Sequence, residues 1–276
     1  MQNRINIKFF VVLSLIMITI SFKAYSQQKN SDNSTKKEID SKPVTEYGFR
    51  VLASYTHDRG AYTQGLFFHN NQMYETSGQY GESNLRKVNY KNGQLLRILN
   101  FESKYFLEGA CVIDNKAYIL TWRERKGFVY DINEFKYLGE FRIQGEGWGL
   151  TTDGTTLIMS DGSSNLYYMN PETFLIDSTK QVKMYGKPLG YINELEYING
   201  DIWANVYGED YIVIIEKETG HVKGKIDCKN VLPQSLRSYS TDVLNGIAYN
   251  PVDRSIYITG KYWPKLYKIA IYRKRR

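Results

Sequence analysis

The sequence predicts an all-β chain folded as a five-bladed β-propeller. Three observations predict it. After residue 43 no stretch sustains a helical period, and short alternating runs broken by Gly, Asn and Asp stand in its place. Tyrosine is abundant, 24 residues beside 12 Phe and 4 Trp, and it suits strands with one wet face. A turn followed by an apolar strand also returns five times.

In chain order these turn–strand units are His69-Asn70-Asn71-Gln72-Met73-Tyr74, Asp114-Asn115-Lys116-Ala117-Tyr118, Asp153-Gly154-Thr155-Thr156-Leu157-Ile158, Asn199-Gly200-Asp201-Ile202-Trp203 and Asp253-Arg254-Ser255-Ile256-Tyr257. From Tyr74 through Tyr118, Ile158 and Trp203 to Tyr257 the spacings are 44, 40, 45 and 54. Several units carry a second turn, such as Tyr90-Lys91-Asn92-Gly93 or Lys217-Glu218-Thr219-Gly220, between a further pair of strands. Four short strands in roughly 40–50 residues make one propeller blade. A sandwich of this length would not repeat at a fixed period. The early strand Phe49–Tyr55 is expected to complete the last blade, because that pairing removes open edges. The long last step holds Asp227–Thr241, read as a long loop or short helix.

Residues 1–26 read as a signal peptide, 27–43 as a disordered polar leader and 44–276 as the propeller. A basic start precedes the apolar run Phe9–Phe22, and Ala24-Tyr25-Ser26 offers small residues for cleavage. The run is shorter than the roughly 20 residues of a membrane span, so no stable membrane insertion is expected after cleavage. The protein is expected to be exported, periplasmic or secreted.

The net charge of +7 does not point to nucleic acid. Residues 1–26 hold three basic residues and no acidic ones, which leaves 33 basic against 29 acidic, or +4. Residues 273–276 add a further basic run, which reads as a solubilising end. Two Cys exclude a disulfide scaffold and a multi-Cys zinc module, and three His leave little for a His-rich metal site. Cys111 and Cys228 could pair in an oxidising compartment, although Cys111 in its apolar run reads better as a buried free thiol.

Seven strings look too polar or too Trp-rich for strand interiors. They are Tyr62-Thr63-Gln64-Gly65-Leu66, Phe106-Leu107-Glu108-Gly109, Leu120-Thr121-Trp122, Gly145-Glu146-Gly147-Trp148-Gly149-Leu150, Asn193-Glu194-Leu195-Glu196-Tyr197, Trp203-Ala204-Asn205-Val206 and Thr259-Gly260-Lys261-Tyr262-Trp263-Pro264-Lys265. In a propeller, residues far apart in sequence converge at one mouth of the central channel.

In this order the strings closely resemble the glutaminyl-peptide cyclotransferases of the plant and bacterial type, over roughly residues 45–272. That family is a five-bladed β-propeller. The resemblance implies conversion of an N-terminal glutaminyl residue of a peptide or protein to pyroglutamyl, with release of ammonia. Glu108 matches the family's proposed catalytic glutamate, and Asn193 and Lys261 match positions near the substrate. Gln64 matches a position that can hydrogen-bond the substrate. Trp122 and Trp148 match the aromatic walls, which Tyr62 and Phe106 extend. Tyr207 stands where the family commonly carries Trp, and Tyr62 where it usually has Phe.

The chemistry agrees with these residue types. A neutral α-amine attacks the side-chain amide carbon, and the leaving nitrogen needs a proton. One carboxylate, Glu108, can move that proton, while Asn193 and Lys261 face the charge on the former amide oxygen. No cofactor is expected for an intramolecular acyl transfer. No metal ligand set is assigned, and a structural cation in the central channel is left open. The expected partners are substrates with an N-terminal Gln, with no nucleic acid, and the chain is expected to be a monomer. A propeller that only binds would not need Glu108, Asn193 and Lys261 together, and a sugar-cleaving propeller would show a carboxylate pair or His cluster.

Overall fold

The computed structural model describes residues 43–275. The segment read as a signal peptide and nearly all of that read as a polar leader lie outside them. The described chain is all-β, with a single 3-10 turn, Gln234–Leu236, inside the segment read as a long loop or short helix.

Strand β1 (Thr45–Thr56) precedes meander I, which is β2 (Thr63–His69), β3 (Gln72–Ser77), β4 (Asn84–Asn89) and β5 (Gln94–Asn100). Meander II is β6 (Leu107–Ile113), β7 (Lys116–Thr121), β8 (Lys126–Asp131) and β9 (Lys136–Arg142). Meander III is β10 (Leu150–Thr152), β11 (Leu157–Ser160), β12 (Asn165–Met169) and β13 (Ile176–Gln181). A small hairpin, β14 (Lys183–Met184) with β15 (Lys187–Pro188), leads to meander IV: β16 (Ile192–Ile198), β17 (Asp201–Val206), β18 (Tyr211–Glu216) and β19 (Val222–Asp227). Meander V is β20 (Leu244–Asn250), β21 (Ser255–Gly260) and β22 (Lys265–Arg273), with β1 as its fourth strand.

The β1–β22 pairing runs antiparallel from Tyr47 opposite Arg273 to Thr56 opposite Lys265, as expected for the early strand. One feature was not expected. Thr45–Tyr47 of β1 also pairs in parallel with Gly224–Ile226 of β19, so meanders IV and V form one continuous eight-stranded sheet. The start of β1 supplies backbone partners that the edge of β19 would otherwise lack.

Turn chemistry sets the hairpins. Asn70-Asn71, Asp114-Asn115 and Asn199-Gly200 all hold positive φ, as a two-residue hairpin turn requires, and Asn and Gly tolerate it. The first strands of the meanders touch in succession: β2 beside β6, then β10, β16 and β20, with β20 back beside β2. Apolar clusters fill the spaces between neighbouring meanders. Phe67, Leu85, Leu107 and Ile119 pack between I and II, and Leu66, Met73, Ala248 and Leu266 between V and I. Cys111 belongs to the layer between II and III and Cys228 to that between IV and V, so the two do not pair; both are buried free thiols.

Candidate active site

Because the strands alternate in direction, the starts of the first strands and the ends of the second strands share one face. Tyr62 and Phe106 precede β2 and β6, and Trp148 precedes β10. Trp122, Tyr207 and Lys261 follow β7, β17 and β21. All nine residues singled out in the sequence, Tyr62, Gln64, Phe106, Glu108, Trp122, Trp148, Asn193, Tyr207 and Lys261, line one cavity of about 330 Å³. Gln79 joins them.

Four of the strings proved less unlike strands than their polarity suggested, and one of them, Trp203-Ala204-Asn205-Val206, lies wholly inside β17. Gln64, Glu108 and Asn193 lie inside β2, β6 and β16. The pairing register slips beside each of them, between Thr63 and Gly65, Leu107 and Ala110, and Ile192 and Leu195. A bulge of this kind re-aims a side chain without ending the strand. A fourth slip, between Leu244 and Ile247, holds Asn245. Close packing of the first strands needs glycine beside these positions: a Cβ on Gly109 would collide with the backbone of Gly149 and Leu150, and one on Gly149 with the carbonyl of Asn193.

The four bulge residues form a hydrogen-bonded chain. Asn193 Nδ2 donates to Asn245 Oδ1 (2.9 Å), and Asn245 Nδ2 donates to Gln64 Oε1 (3.3 Å). Gln64 Nε2 then donates to Glu108 Oε1 (2.9 Å). Asn245 Nδ2 also donates to the backbone carbonyl of Thr63 (2.8 Å). A carbonyl can only accept, so this bond fixes which end of the Asn245 amide faces which neighbour, and orients the chain as far as Glu108. Gln64 and Asn193 each retain one N–H beyond these bonds.

Glu108 is buried, and burial pushes its pKa well above the usual carboxylate range. The charge of Lys261 pulls it down, while those of Glu146 and Glu124 push it up. Burial lowers the pKa of Lys261 against the opposing pull of Glu108 and Asp242. The Lys261 ammonium lies 4.4 Å from the centre of the Tyr62 ring and 5.2 Å from that of Tyr207, so two aromatic faces replace part of its lost water.

The walls are aromatic. Phe106 meets Trp122 at 5.3 Å and Tyr62 at 6.0 Å between ring centres, and Tyr207 meets Trp148 edge-on at 5.8 Å. Among the described residues no three side chains of His, Cys, Asp or Glu gather to hold a metal ion.

Two neighbours escaped the sequence reading. Gln79, with φ of 96°, follows the second strand of its meander, as Trp122, Tyr207 and Lys261 follow theirs. Asn245 had a visible signal: Asn245-Gly246-Ile247 repeats the polar–Gly–apolar pattern of Gln64-Gly65-Leu66 and Glu108-Gly109-Ala110.

Fold and site together define an all-β protein with a carboxyl, an ammonium and oriented amides at the base of an aromatic slot. The sequence model of the glutamine cyclotransferase family matches residues 17–271. A glutaminyl-peptide cyclotransferase of Arabidopsis thaliana is 34% identical over 262 residues, covering 94% of this chain and 80% of that protein. The crystal structure of the Myxococcus xanthus glutaminyl cyclase aligns with a TM-score of 0.79 at 31% identity, covering 84% of this chain and 100% of that one. The chain belongs to the glutamine cyclotransferase family.

Proposed function

We propose that the protein is a glutaminyl-peptide cyclotransferase, an acyltransferase that closes an N-terminal glutaminyl residue to pyroglutamyl and releases ammonia. The observation that carries this reading, beside family membership, is the Gln64–Glu108 hydrogen bond at the base of a cavity that also holds Asn193, Lys261 and two Trp side chains.

The substrate's α-amine has an ordinary pKa of about 7.7–8.0, so a neutral fraction exists near pH 7. Its nitrogen attacks the side-chain amide carbon, and a C–N bond forms. The carbonyl oxygen takes the negative charge. The spare N–H groups of Gln64 and Asn193 and the charge of Lys261 are the groups at hand to stabilise it. Glu108 as carboxylate accepts the amine proton and returns it to the amide nitrogen, which leaves as ammonia when its bond to carbon breaks. Because burial raises the Glu108 pKa, its carboxylate is a stronger base for taking up the amine proton. The Trp walls fold the Gln side chain back to the contact distance of about 3–3.5 Å that attack requires. Every atom and proton is accounted for without a redox or group-carrying cofactor.

The same reading takes the five meanders as the blades of one propeller. The ring of contacts between first strands and the apolar layers between successive meanders support it. The apolar run Phe9–Phe22 supports export. Incubating the protein with a short Gln-initiated peptide tests the activity. Ammonia and the cyclised peptide are expected; an unchanged peptide would leave a propeller that binds without catalysis.

A further inference from the structure

Glu146 belongs to the motif Gly145-Glu146-Gly147-Trp148-Gly149-Leu150, and apart from its charge, which helps push up the Glu108 pKa, the reaction described above gives it no part. Its Oε2 accepts hydrogen bonds from both wall indoles, Trp122 Nε1 at 2.8 Å and Trp148 Nε1 at 3.0 Å. Its other oxygen, Oε1, accepts from Arg123 Nε at 3.3 Å, and the Arg123 guanidinium lies 3.7 Å from the centre of the Trp122 ring. The two indoles come from different meanders and are 26 positions apart in sequence. Sharing one acceptor holds their nitrogens within about 6 Å of each other. The backbone repeats the link, because Gly147 N donates to Trp122 O at 3.0 Å.

We propose that Glu146 is a positioning residue that sets the spacing and tilt of Trp122 and Trp148, and with them the width of the slot that receives the substrate's glutamine side chain. Each ring is otherwise held by contacts alone. Phe106 and Arg123 pack on Trp122, and Tyr207 and the backbone at Gly162 pack on Trp148. Such contacts restrain a ring's plane better than its rotation within the plane, whereas a hydrogen bond at the indole nitrogen fixes that rotation. The clamp lies at the rim: the Glu146 side chain is 38% exposed, so removing it lets water satisfy both N–H groups and leaves the fold standing.

The proposal rests on the cyclotransferase reading for its kinetic consequence but not for its geometry. The test compares Glu146→Leu, which removes the acceptor, with Glu146→Gln, which keeps one oxygen. Kinetics on a short Gln-initiated peptide are read beside near-UV circular dichroism and acrylamide quenching of tryptophan fluorescence. The protein has four Trp, and Trp203 and Trp263 are buried, so quenching reports mainly on the wall pair. Glu146→Leu is expected to keep its unfolding temperature, to lose at least about tenfold in kcat with a smaller change in KM, and to alter both optical signals. Glu146→Gln also removes a charge that pushes up the Glu108 pKa, so both variants are compared on the plateau of the pH profile, where Glu146→Gln is expected to stay within about threefold of the parent in kcat, with near-parental spectra. A folded Glu146→Leu protein with parental kinetics and spectra would overturn the clamp, as would a Glu146→Gln protein as impaired as Glu146→Leu. If the parent itself released no ammonia, the activity reading would fall, and the spectra would still decide whether Glu146 orders the two indoles.

Discussion

Gln64 donates from its side-chain nitrogen to Glu108 Oε1 at 2.9 Å, joining the first strands of meanders I and II across the floor of the cavity. The bond commits one oxygen of Glu108 to accepting and leaves the other for proton transfer. Glu108→Gln preserves this contact, because an amide oxygen accepts as well. The variant should fold and unfold as the parent does and lose at least about 100-fold in kcat, since an amide cannot carry the proton. Ammonia release by folded Glu108→Gln at parental rate would remove the residue from that role.

The lysine tunes the carboxyl. Glu108 must be ionised to take the amine proton, so kcat rises with pH through its pKa in the bound complex. Burial holds that pKa high, and Lys261 is the group that draws it down. Lys261→Met removes the cation, so the acidic limb of the kcat profile should move to higher pH, alongside a lower plateau. A limb that stays put or moves to lower pH contradicts the coupling.

Asn245 reaches Glu108 only through Gln64, and its amide is oriented by the carbonyl of Thr63. An Asp at this position has at most one O–H to donate, when protonated, and none when ionised, so it cannot replace both bonds of the Asn245 amide. Asn245→Asp should free Gln64 to turn and lower kcat by at least about tenfold, with a smaller effect on KM. Measuring both constants on a folded variant decides the point, and unchanged kcat would make the chain ornamental.

The wall residues carry orientation. Trp122→Ala and Trp148→Ala should each reduce kcat/KM by at least about tenfold, roughly 1.4 kcal/mol. Tyr207→Trp, the commoner family residue, should shift preference for the second peptide residue more than turnover. Assays on Gln peptides that differ at that second position separate the two effects.

Stability should also depend on pH through the floor of the fold. Burial raises the pKa of Glu196 to about 8, against backbone N–H donors from Tyr249 and Tyr197 and the Thr151 hydroxyl. A carboxyl raised in the folded state stabilises fully below its unfolded value, and that contribution is lost as pH rises through the folded value. Between about pH 4.5 and 8 the parent should therefore lose stability relative to Glu196→Gln. Denaturant midpoints of both proteins at pH 5 and pH 8 test this, and parallel trends would contradict it.

The sequence by itself determined the repeat of strands and hairpin turns and the chemical kinds of residue in the site, although it read the polar stretches around Gln64, Glu108 and Asn193 as unlike strand. Those features are local: Asn70-Asn71 takes positive φ because of its own side chains, and a five-fold turn–strand repeat needs no distant partner to be seen. The family resemblance named nine side chains, eight inside the motif strings and Tyr207 just after one, that do meet in one cavity. Tertiary structure decided how they meet. Gln64, Glu108, Asn193 and Asn245 are brought together by equivalent bulges in four strands spread over more than 180 positions, and the direction of their chain depends on one backbone carbonyl. Glu146 stood in a quoted motif, yet its hold on Trp122 became visible only when meanders II and III lay side by side. The parallel join of β1 to β19 was equally hidden, because an edge strand finds its partner by proximity of backbone groups, which no side-chain pattern records.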